Sequence, residues 1–200
     1  MFIIGITGPT GAGKTSALRA VESLGALALD CDEIYRMLLE GCGDMQSEID
    51  ARFEGVLVGG DIDRARLREI VFNDSGALRD LNAITHKYVK RERDRKVEDW
   101  RAQGGTLAAV DAIALIESGA AGGCDVVVGV IAPVDRRIER IVTRDGITHD
   151  AARQRVAAQK TDDFYRQHCD YLLENVYNTP DEFEVECKVF FEKLIGGHRR

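Results

Sequence analysis

A glycine-rich segment near the start of the chain is the sequence feature that most constrains the fold. Residues 8–15 match the pattern G-x-x-x-x-G-K-[ST] at every fixed position. An apolar run over residues 2–6 precedes the segment, and residues 17–24 follow it with the apolar spacing of an amphipathic helix. This order of strand, glycine-rich loop and helix predicts a loop whose backbone N–H groups hold nucleotide phosphates.

The loop offers several kinds of phosphate contact. Its small residues let successive N–H groups point inward, and the helix that begins near Lys14 adds its N-terminal dipole. Lys14 supplies a mobile positive charge, and Thr15 supplies a hydroxyl for Mg²⁺. The predicted nucleotide-binding residues are Gly8, Pro9, Thr10, Gly11, Ala12, Gly13, Lys14 and Thr15.

Composition restricts the class of protein. The 200 residues carry a net charge of −7, which argues against nucleic acid as the main partner because polyphosphate backbones favour basic surfaces. The 5 cysteines include no C-x-x-C pair, which favours free thiols in a reducing compartment. No apolar stretch approaches the roughly 18 residues needed to span a bilayer. We expect a cytoplasmic monomer that binds neither nucleic acid nor membrane.

Short apolar strands alternate with helical segments along the chain. Such alternation predicts an α/β fold with a five-stranded parallel sheet flanked by helices. The length suits a single domain over residues 1–200. The predicted strands are residues 2–7, 26–30, 106–110, 125–131 and 170–173.

The interval between the second and third predicted strands is far longer than an ordinary crossover connection, at about 75 residues. Apolar stripes in residues 67–71 and 81–89 indicate helices there. The charged run over residues 87–101 is expected to be a solvent-facing helix surface. We therefore expect residues 31–105 to form a folded, helical insert.

Carboxylates follow the second predicted strand, in the sequence Asp30-Cys31-Asp32-Glu33. The carboxyl end of a strand lies at the edge where parallel sheets bind ligands. A carboxylate there can accept the proton of an attacking hydroxyl and help to place Mg²⁺. Aspartate is also a favoured N-cap, so one of the two can cap the helix that begins at Glu33. We favour Asp32 as the catalytic base.

Asp111 ends the third predicted strand. Its position is that of a second acidic motif, which reaches Mg²⁺ through a water molecule. Turn chemistry at the end of a strand explains the same residue equally well. The sequence leaves both interpretations of Asp111 open.

A group of arginines follows the fourth predicted strand. Arg140 and Arg144 share one helix face at a spacing of four residues. Gly146 breaks this helix, and a second arginine-bearing helix begins near Thr148. Two such helices indicate a mobile lid over residues 140–165, which closes cations over a transferring phosphoryl group.

The last helix has a start signal in Thr179-Pro180-Asp181-Glu182, a capping box with proline at the first helical position. Its apolar residues recur at helical spacing and are expected to pack on the sheet. Residues 196–200 are expected to be a loose tail. The apolar residues of this predicted row are Phe183, Cys187, Phe190 and Leu194.

The fuller pattern resembles the dephospho-CoA kinases, the enzymes of the last step of coenzyme A biosynthesis. The most discriminating mark is Asp63-Arg64-Ala65-Arg66-Leu67 followed by Ile70-Val71-Phe72, because phosphate-loop kinases in general have no reason to carry it. The marks extend from residue 3 to about residue 175. The others are residues 6–8, 29–34, 81–86, 140, 144–146, 155–159 and 170–175.

The resemblance implies a P-loop kinase fold with a helical substrate-binding insert and a lid. It implies transfer of the γ-phosphoryl group of ATP to the ribose 3′-hydroxyl of dephospho-CoA, with Mg²⁺. Asp32 matches the family's base, Lys14 and Thr15 match its phosphate and metal ligands, and Arg140 matches its lid arginine. Another small-molecule P-loop kinase, with a nucleoside, nucleotide or sugar acid as acceptor, also fits the residues. A non-catalytic nucleotide switch fits less well, because Asp32 and the lid disfavour it.

The resemblance extends to three further residues. Asn175 matches a position near the nucleotide base, and Arg144 is assigned to the nucleotide. His86 matches a histidine of the CoA-binding insert, although helix packing or capping explains a lone histidine equally well. The chain departs from the family at Lys87, where a proline is common, and within residues 111–117, where proline and leucines are common.

Overall fold

A computed structural model describes residues 1–198, apart from the side chain of Asn73. The strands are β1 (Phe2–Thr7), β2 (Leu27–Asp30), β3 (Leu57–Val58), β4 (Asp61–Ile62), β5 (Leu107–Asp111), β6 (Val126–Ile131) and β7 (Tyr171–Glu174). The α-helices are α1 (Lys14–Ser23), α2 (Cys31–Gly41), α3 (Gly43–Arg52), α4 (Arg64–Asn73), α5 (Ser75–Ala102), α6 (Val134–Asp145), α7 (His149–Ala157), α8 (Asp162–His168) and α9 (Pro180–His198).

The main sheet has the strand order β2-β5-β1-β6-β7. Its central strand, β1, pairs in parallel with β5 on one side and β6 on the other. Every residue of β5 and β6 is buried, which requires continuous apolar runs because helices cover both faces of the sheet. The predicted five-stranded parallel sheet is confirmed, and each predicted strand boundary lies within one residue of the observed one.

Helix α9 packs against α1 through a single buried row. Its residues recur every four positions. Side chains at this spacing form a ridge that inserts into the groove of a neighbouring helix. Phe190 and Leu194, expected in this row, flank it and are only partly buried against the same core. The buried residues of α9 are Phe183, Cys187, Phe191 and Ile195.

The sequence predicts a capping box at the start of α9 and a loose tail after its end. At its start, the N–H of Glu182 donates to Thr179 Oγ1 (3.3 Å) and the N–H of Thr179 donates to Glu182 Oε2 (3.2 Å), so the capping box is confirmed. At its end, the helix continues through His198. The predicted loose tail is therefore wrong for residues 196–198, where the helix simply continues, and residues 199–200 lie outside the described part of the chain.

The chain folds as two compact units. One contains Met1–Leu29 and the chain from Trp100 onward, and the other is Asp30–Asp99. The second unit has its own core, in which Met45 and Ile49 of α3 are fully buried beside Tyr88 of α5. This unit also contains a small antiparallel pair, β3 and β4, which the sequence analysis missed. The turn between these strands is Gly59-Gly60, a usual hairpin signal.

Helix α5 is long and polar over most of its surface. Arg95 pairs with Glu92 (2.7 Å) and Asp99 (2.6 Å) at helical spacings, as expected of a solvent-facing surface. Arg93 and Val97 interrupt this surface, because both are buried. Within residues 1–198, none of the helices is long and apolar enough to cross a membrane.

The packing of α9 predicts how much stability the first unit loses when a buried side chain of this helix is shortened. Phe191→Ala removes a fully buried ring and leaves a cavity, so we expect a loss of about 3–5 kcal/mol in the free energy of unfolding, measured by urea denaturation. Val185→Ala on the exposed side of the same helix is the control and should change it by less than about 0.5 kcal/mol. Equal effects of the two changes would show that α9 does not pack through this row.

Candidate active site

The loop between β1 and α1 is shaped by glycines with positive φ. Gly8 and Gly13 have φ values of 148° and 110°, which residues with a side chain rarely adopt. A Cβ atom on Gly8 would lie 2.1 Å from the carbonyl oxygen of Val130, and one on Gly13 would lie 2.4 Å from Nδ2 of Asn175. Only glycine fits at both positions, so the loop can curl tightly enough to form a cradle for phosphates.

The first turn of α1 provides the anion-binding groups. The helix begins at Lys14, directly after Gly13, which has no side chain to cap the first N–H groups. Such N–H groups and the helix dipole together favour a bound anion. The ammonium of Lys14 and the hydroxyl of Thr15 belong to the same turn. This arrangement fits the phosphates of a nucleotide.

Donors from two distant segments hold the carbonyl oxygens of the loop. Nη1 of Arg140, on α6, donates to the carbonyl oxygens of Gly11 (3.1 Å) and Ala12 (3.4 Å). Its Nη2 donates to Oδ1 of Asn175 (3.1 Å) and to the carbonyl oxygen of Tyr177 (2.9 Å). Asn175 is buried, and its Nδ2 donates to the carbonyl oxygen of Ala12 (2.9 Å). Arg140 and Asn175 therefore support the loop on its carbonyl side.

These contacts add a structural role to two residues that the sequence assigns to ligands. The sequence predicts that Arg140 contacts the transferring phosphoryl group and that Asn175 lies near the nucleotide base. In the structure both side chains bond the loop and each other. Burial and the nearby Arg136 lower the pKa of Arg140, yet a guanidinium remains charged in proteins. Both ligand contacts stay predictions.

Two side chains with oxygen atoms suit a divalent cation. Asp111 is buried at the end of β5, in register with Ile6 of β1, and Thr15 lies in the first turn of α1. Carboxylate and hydroxyl oxygens are hard ligands of the kind that Mg²⁺ prefers. Within residues 1–198 there is no group of three or more His, Cys, Asp or Glu side chains that could hold a metal. Mg²⁺ here would need further ligands from phosphates and water, and the metal roles of Thr15 and Asp111 stay predictions.

The two aspartates after β2 occupy different positions. Asp30 is the N-cap of α2, and its Oδ1 accepts hydrogen bonds from the N–H groups of Asp32 (2.8 Å) and Glu33 (3.1 Å). The helix begins at Cys31, two residues before the predicted start, because Asp30 caps it there. Asp32 lies exposed in the first turn. Asp30 therefore has the capping role, and Asp32 remains the predicted base.

The second half of α6 and the whole of α7 lie in the predicted lid segment, residues 140–165. Helix α6 ends at Asp145, and Gly146 has a left-handed conformation with φ 64°, so the predicted break is present. Nε of Arg144 pairs with Oδ1 of Asp145 (2.7 Å), and Arg155 pairs with the other carboxylate oxygen. The hydrogen bond and charge of Arg144, with a smaller effect of Arg155, lower the pKa of Asp145 to about 2. The contact of Arg144 with a nucleotide and the movement of the lid stay predictions.

Comparisons with known proteins agree on one family. The family model described as dephospho-CoA kinase matches residues 2–181. The chain belongs to the dephospho-CoA kinase family. A dephospho-CoA kinase of Thermobifida fusca is 36% identical over 97% of this chain and 96% of that protein, and one of Geobacter sulfurreducens is 34% identical over 96% and 98%. A crystal structure from Thermus thermophilus covers 96% of this chain and 97% of its own, with a TM-score of 0.81 and 28% identity.

His86, the histidine that the family resemblance assigned to the CoA-binding insert, lies near the middle of α5. Its side chain is exposed, as is that of Lys87, whereas the flanking residues Thr85 and Tyr88 are buried. A residue at this place neither packs the helix into the core nor caps one of its ends. The structure therefore removes the packing and capping interpretations, and contact with the substrate stays a prediction.

Two residues that hold the tip of the phosphate loop had no individual role predicted from the sequence. Arg137 on α6 and Gln159 beyond the end of α7 both bond Thr10. Arg137 and Thr10 are separated by 127 positions, and Gln159 and Thr10 by 149. No local pattern indicates such a pair. The only signal in the sequence was that residues 155–159 belong to the marks of the family.

The contacts of Arg140 generate a stability prediction. Arg140→Ala leaves the carbonyl oxygens of Gly11 and Tyr177 without this donor, so we expect a loss of about 1–3 kcal/mol in the free energy of unfolding and weaker ATP binding. Urea denaturation and calorimetric titration with ATP measure the two effects. Arg166→Ala on the exposed surface of α8, outside the predicted lid, is the control and should change neither. An unfolding free energy equal to that of the unchanged protein would rule out the supporting role.

Proposed function

We propose that this chain transfers the γ-phosphoryl group of ATP to the ribose 3′-hydroxyl of dephospho-CoA and releases CoA and ADP. The observation that carries the proposal is the family match over residues 2–181, which includes both the phosphate loop and the whole second unit, Asp30–Asp99. A match limited to the loop would support phosphate binding alone, because many activities share this fold. Because the match also includes the second unit, it supports the acceptor as well as phosphate binding.

In this proposal the loop and the first turn of α1 bind the β- and γ-phosphates. Lys14 stabilises the negative charge that spreads over the transferring group. Mg²⁺, when bound, neutralises part of the phosphate charge, with Thr15 as a direct ligand and Asp111 as a ligand through water. Arg140 and Asn175 already fix the carbonyl side of the loop, so its N–H groups need little rearrangement during the reaction.

Asp32 is the proposed general base. Its carboxylate accepts the proton of the 3′-hydroxyl as the oxygen attacks the γ-phosphorus. Asp30 is less suited, because its Oδ1 accepts two backbone hydrogen bonds that start α2. Asp32 is exposed on that turn, where an acceptor hydroxyl can approach it.

The remaining parts of the proposal concern the acceptor and the lid. We assign residues 31–105 to CoA binding, with the exposed His86 as one contact, because an acceptor with a long pantetheine arm needs a broad site. We assign residues 140–165 to the lid, in which Arg140 acts on the transferring group and Arg144 on the nucleotide. Binding energy from the arm then helps to orient the 3′-hydroxyl.

We further propose that the enzyme works as a cytoplasmic monomer on ATP and dephospho-CoA, without nucleic acid or membrane as a partner. The net charge of −7 supports the absence of a nucleic-acid partner, because polyphosphate backbones favour basic surfaces. Within residues 1–198 the cysteines form no disulfide bond, as suits a reducing compartment.

The assignment of the base can be tested with two substitutions. Asp32→Asn preserves shape but cannot accept a proton, so we expect kcat to fall by at least about 100-fold with ATP affinity little changed. Asp30→Asn is the matched control, because asparagine also caps helices well and should retain most of the activity. A larger loss of kcat in Asp30→Asn than in Asp32→Asn would reverse the assignment.

The acceptor can be tested by measuring ADP release with a panel of compounds. We expect dephospho-CoA to be phosphorylated far faster than adenosine or AMP, which lack the pantetheine arm. ADP should form in step with loss of the 3′-hydroxyl. Comparable rates with AMP, or no reaction with dephospho-CoA, would reject the proposed acceptor and favour a general nucleotide kinase.

A further inference from the structure

The tip of the phosphate loop is bonded through three separate groups of one residue, Thr10. Its N–H donates to Oε1 of Gln159 (3.1 Å), and its Oγ1 accepts from Nε2 of the same side chain (2.9 Å). Its carbonyl oxygen accepts from Nε of Arg137 (3.1 Å). Nη2 of Arg137 also donates to Oε1 of Gln159 (2.7 Å), which closes the network. We call these three residues the Thr10 clasp.

The buried charge in the Thr10 clasp is costly for a purely structural contact. Arg137 is only 3% exposed and donates to neutral oxygens of Thr10 and Gln159. Burial lowers the pKa of Arg137, and the negative charge of Asp162 offsets this effect only in part. Burying a guanidinium requires compensation by hydrogen bonds or opposite charge. A neutral donor could satisfy the carbonyl oxygen of Thr10 at lower cost. The guanidinium of Arg137 adds a fixed positive charge behind a loop that binds phosphates.

The Thr10 clasp connects the loop to both helices of the lid segment. Arg137 lies near the start of α6, and Gln159 lies just beyond the end of α7. The two helices pack on each other through a small core that includes Ile141 and Ala152, both fully buried. The loop tip therefore takes its position from the α6–α7 pair, and not only from β1 and α1.

The surroundings of the Thr10 clasp also point to function. Arg137 and Gln159 line a cavity of about 510 Å³, whose charged residues are of both signs and include Arg153, Lys160 and Asp162. A contact whose only purpose is stability is better placed in a packed apolar core than beside an open cavity.

We propose that Gln159 and Arg137 are positioning residues for phosphoryl transfer, which act through Thr10 to hold the tip of the phosphate loop in its reactive geometry. This inference rests on the proposed kinase function. A loop with several glycines in left-handed conformations loses much entropy when it is ordered, and the clasp fixes its one residue with a hydroxyl side chain at the tip. The N–H groups are then aligned before the transition state forms.

The test is a double-mutant cycle between Gln159→Met and Thr10→Val. Gln159→Met keeps the length of the side chain but removes its two hydrogen bonds with Thr10 and the one from Arg137, and Thr10→Val removes only the hydroxyl. We expect each change to lower kcat with dephospho-CoA by about 10-fold or more, with the KM for ATP changed by less than about threefold. Because the two changes break a shared interaction, the double variant should be little slower than the slower single variant. Additive losses, or losses in KM alone, would overturn the proposal.

Rescue and control variants separate positioning from simple stability. Thr10→Ser retains the hydroxyl and should restore most of kcat, and so should Gln159→Glu, whose carboxylate can accept from Arg137 and from both donors of Thr10. Gln167→Met on the exposed surface of α8, outside the proposed lid, is the control and should leave kcat unchanged. If Thr10→Ser is as slow as Thr10→Val while all variants melt at the same temperature, the hydroxyl contact has no role in positioning.

A readout without an acceptor distinguishes failure of this inference from failure of the proposed function. The Thr10 amide should exchange its hydrogen slowly in the intact protein and at least about 10-fold faster in Gln159→Met, as measured by NMR, because it loses its acceptor. If the intact protein fails to phosphorylate dephospho-CoA, the function is wrong, and the cycle is repeated with whichever acceptor of the panel reacts. If amide exchange is unchanged in Gln159→Met, the clasp itself is wrong, whatever the acceptor.

Discussion

A phosphate loop has to turn its backbone N–H groups toward the nucleotide, and this constraint turns its carbonyl oxygens the other way. Buried carbonyl oxygens need donors, and this chain supplies them from outside the loop. Arg140 and Asn175 donate to Gly11 and Ala12, and Arg137 donates to the tip. The conformation of the loop therefore depends on side chains that lie 127 to 163 residues further along the chain.

The same constraint explains how the arginines of α6 are distributed. Arg137 and Arg140 lie about one turn apart, and both donate to the loop. Arg144 lies one turn further, at the end of the helix, where it pairs with Asp145. Arg137 and Arg140 thus support the phosphate loop, and the last turn of α6 carries Arg144, a further cation of the predicted lid. A single helix with arginines at this spacing can therefore link the lid to the loop without a separate element.

What could be predicted from sequence depends on how far apart the interacting residues lie. The five strands of the main sheet, the helix break at Gly146 and the loop itself follow from neighbours in the chain, and all were predicted. The bonds of Arg137 and Arg140 could not be, because no local pattern selects a partner more than 100 residues away. The buried row of α9 includes Phe191 and not Phe190, because Phe191 lies on the face that packs against α1. The strands beside Gly59 were too short for the alternation that reveals a strand.

In the predicted lid segment, one carboxylate, that of Asp145, holds two arginine side chains. Asp145 pairs with Arg144 and Arg155, and its pKa is about 2 instead of the ordinary 3.8. Because the pKa is lower in the folded protein, the pairing stabilises the fold above the ordinary value and is lost only as the pH falls toward 2. Changes of pH near neutrality therefore leave the carboxylate charged. A competing anion can draw Arg144 and Arg155 from Asp145, because both arginine side chains are largely exposed. Nucleotide phosphates are the anions that the loop is shaped to bind.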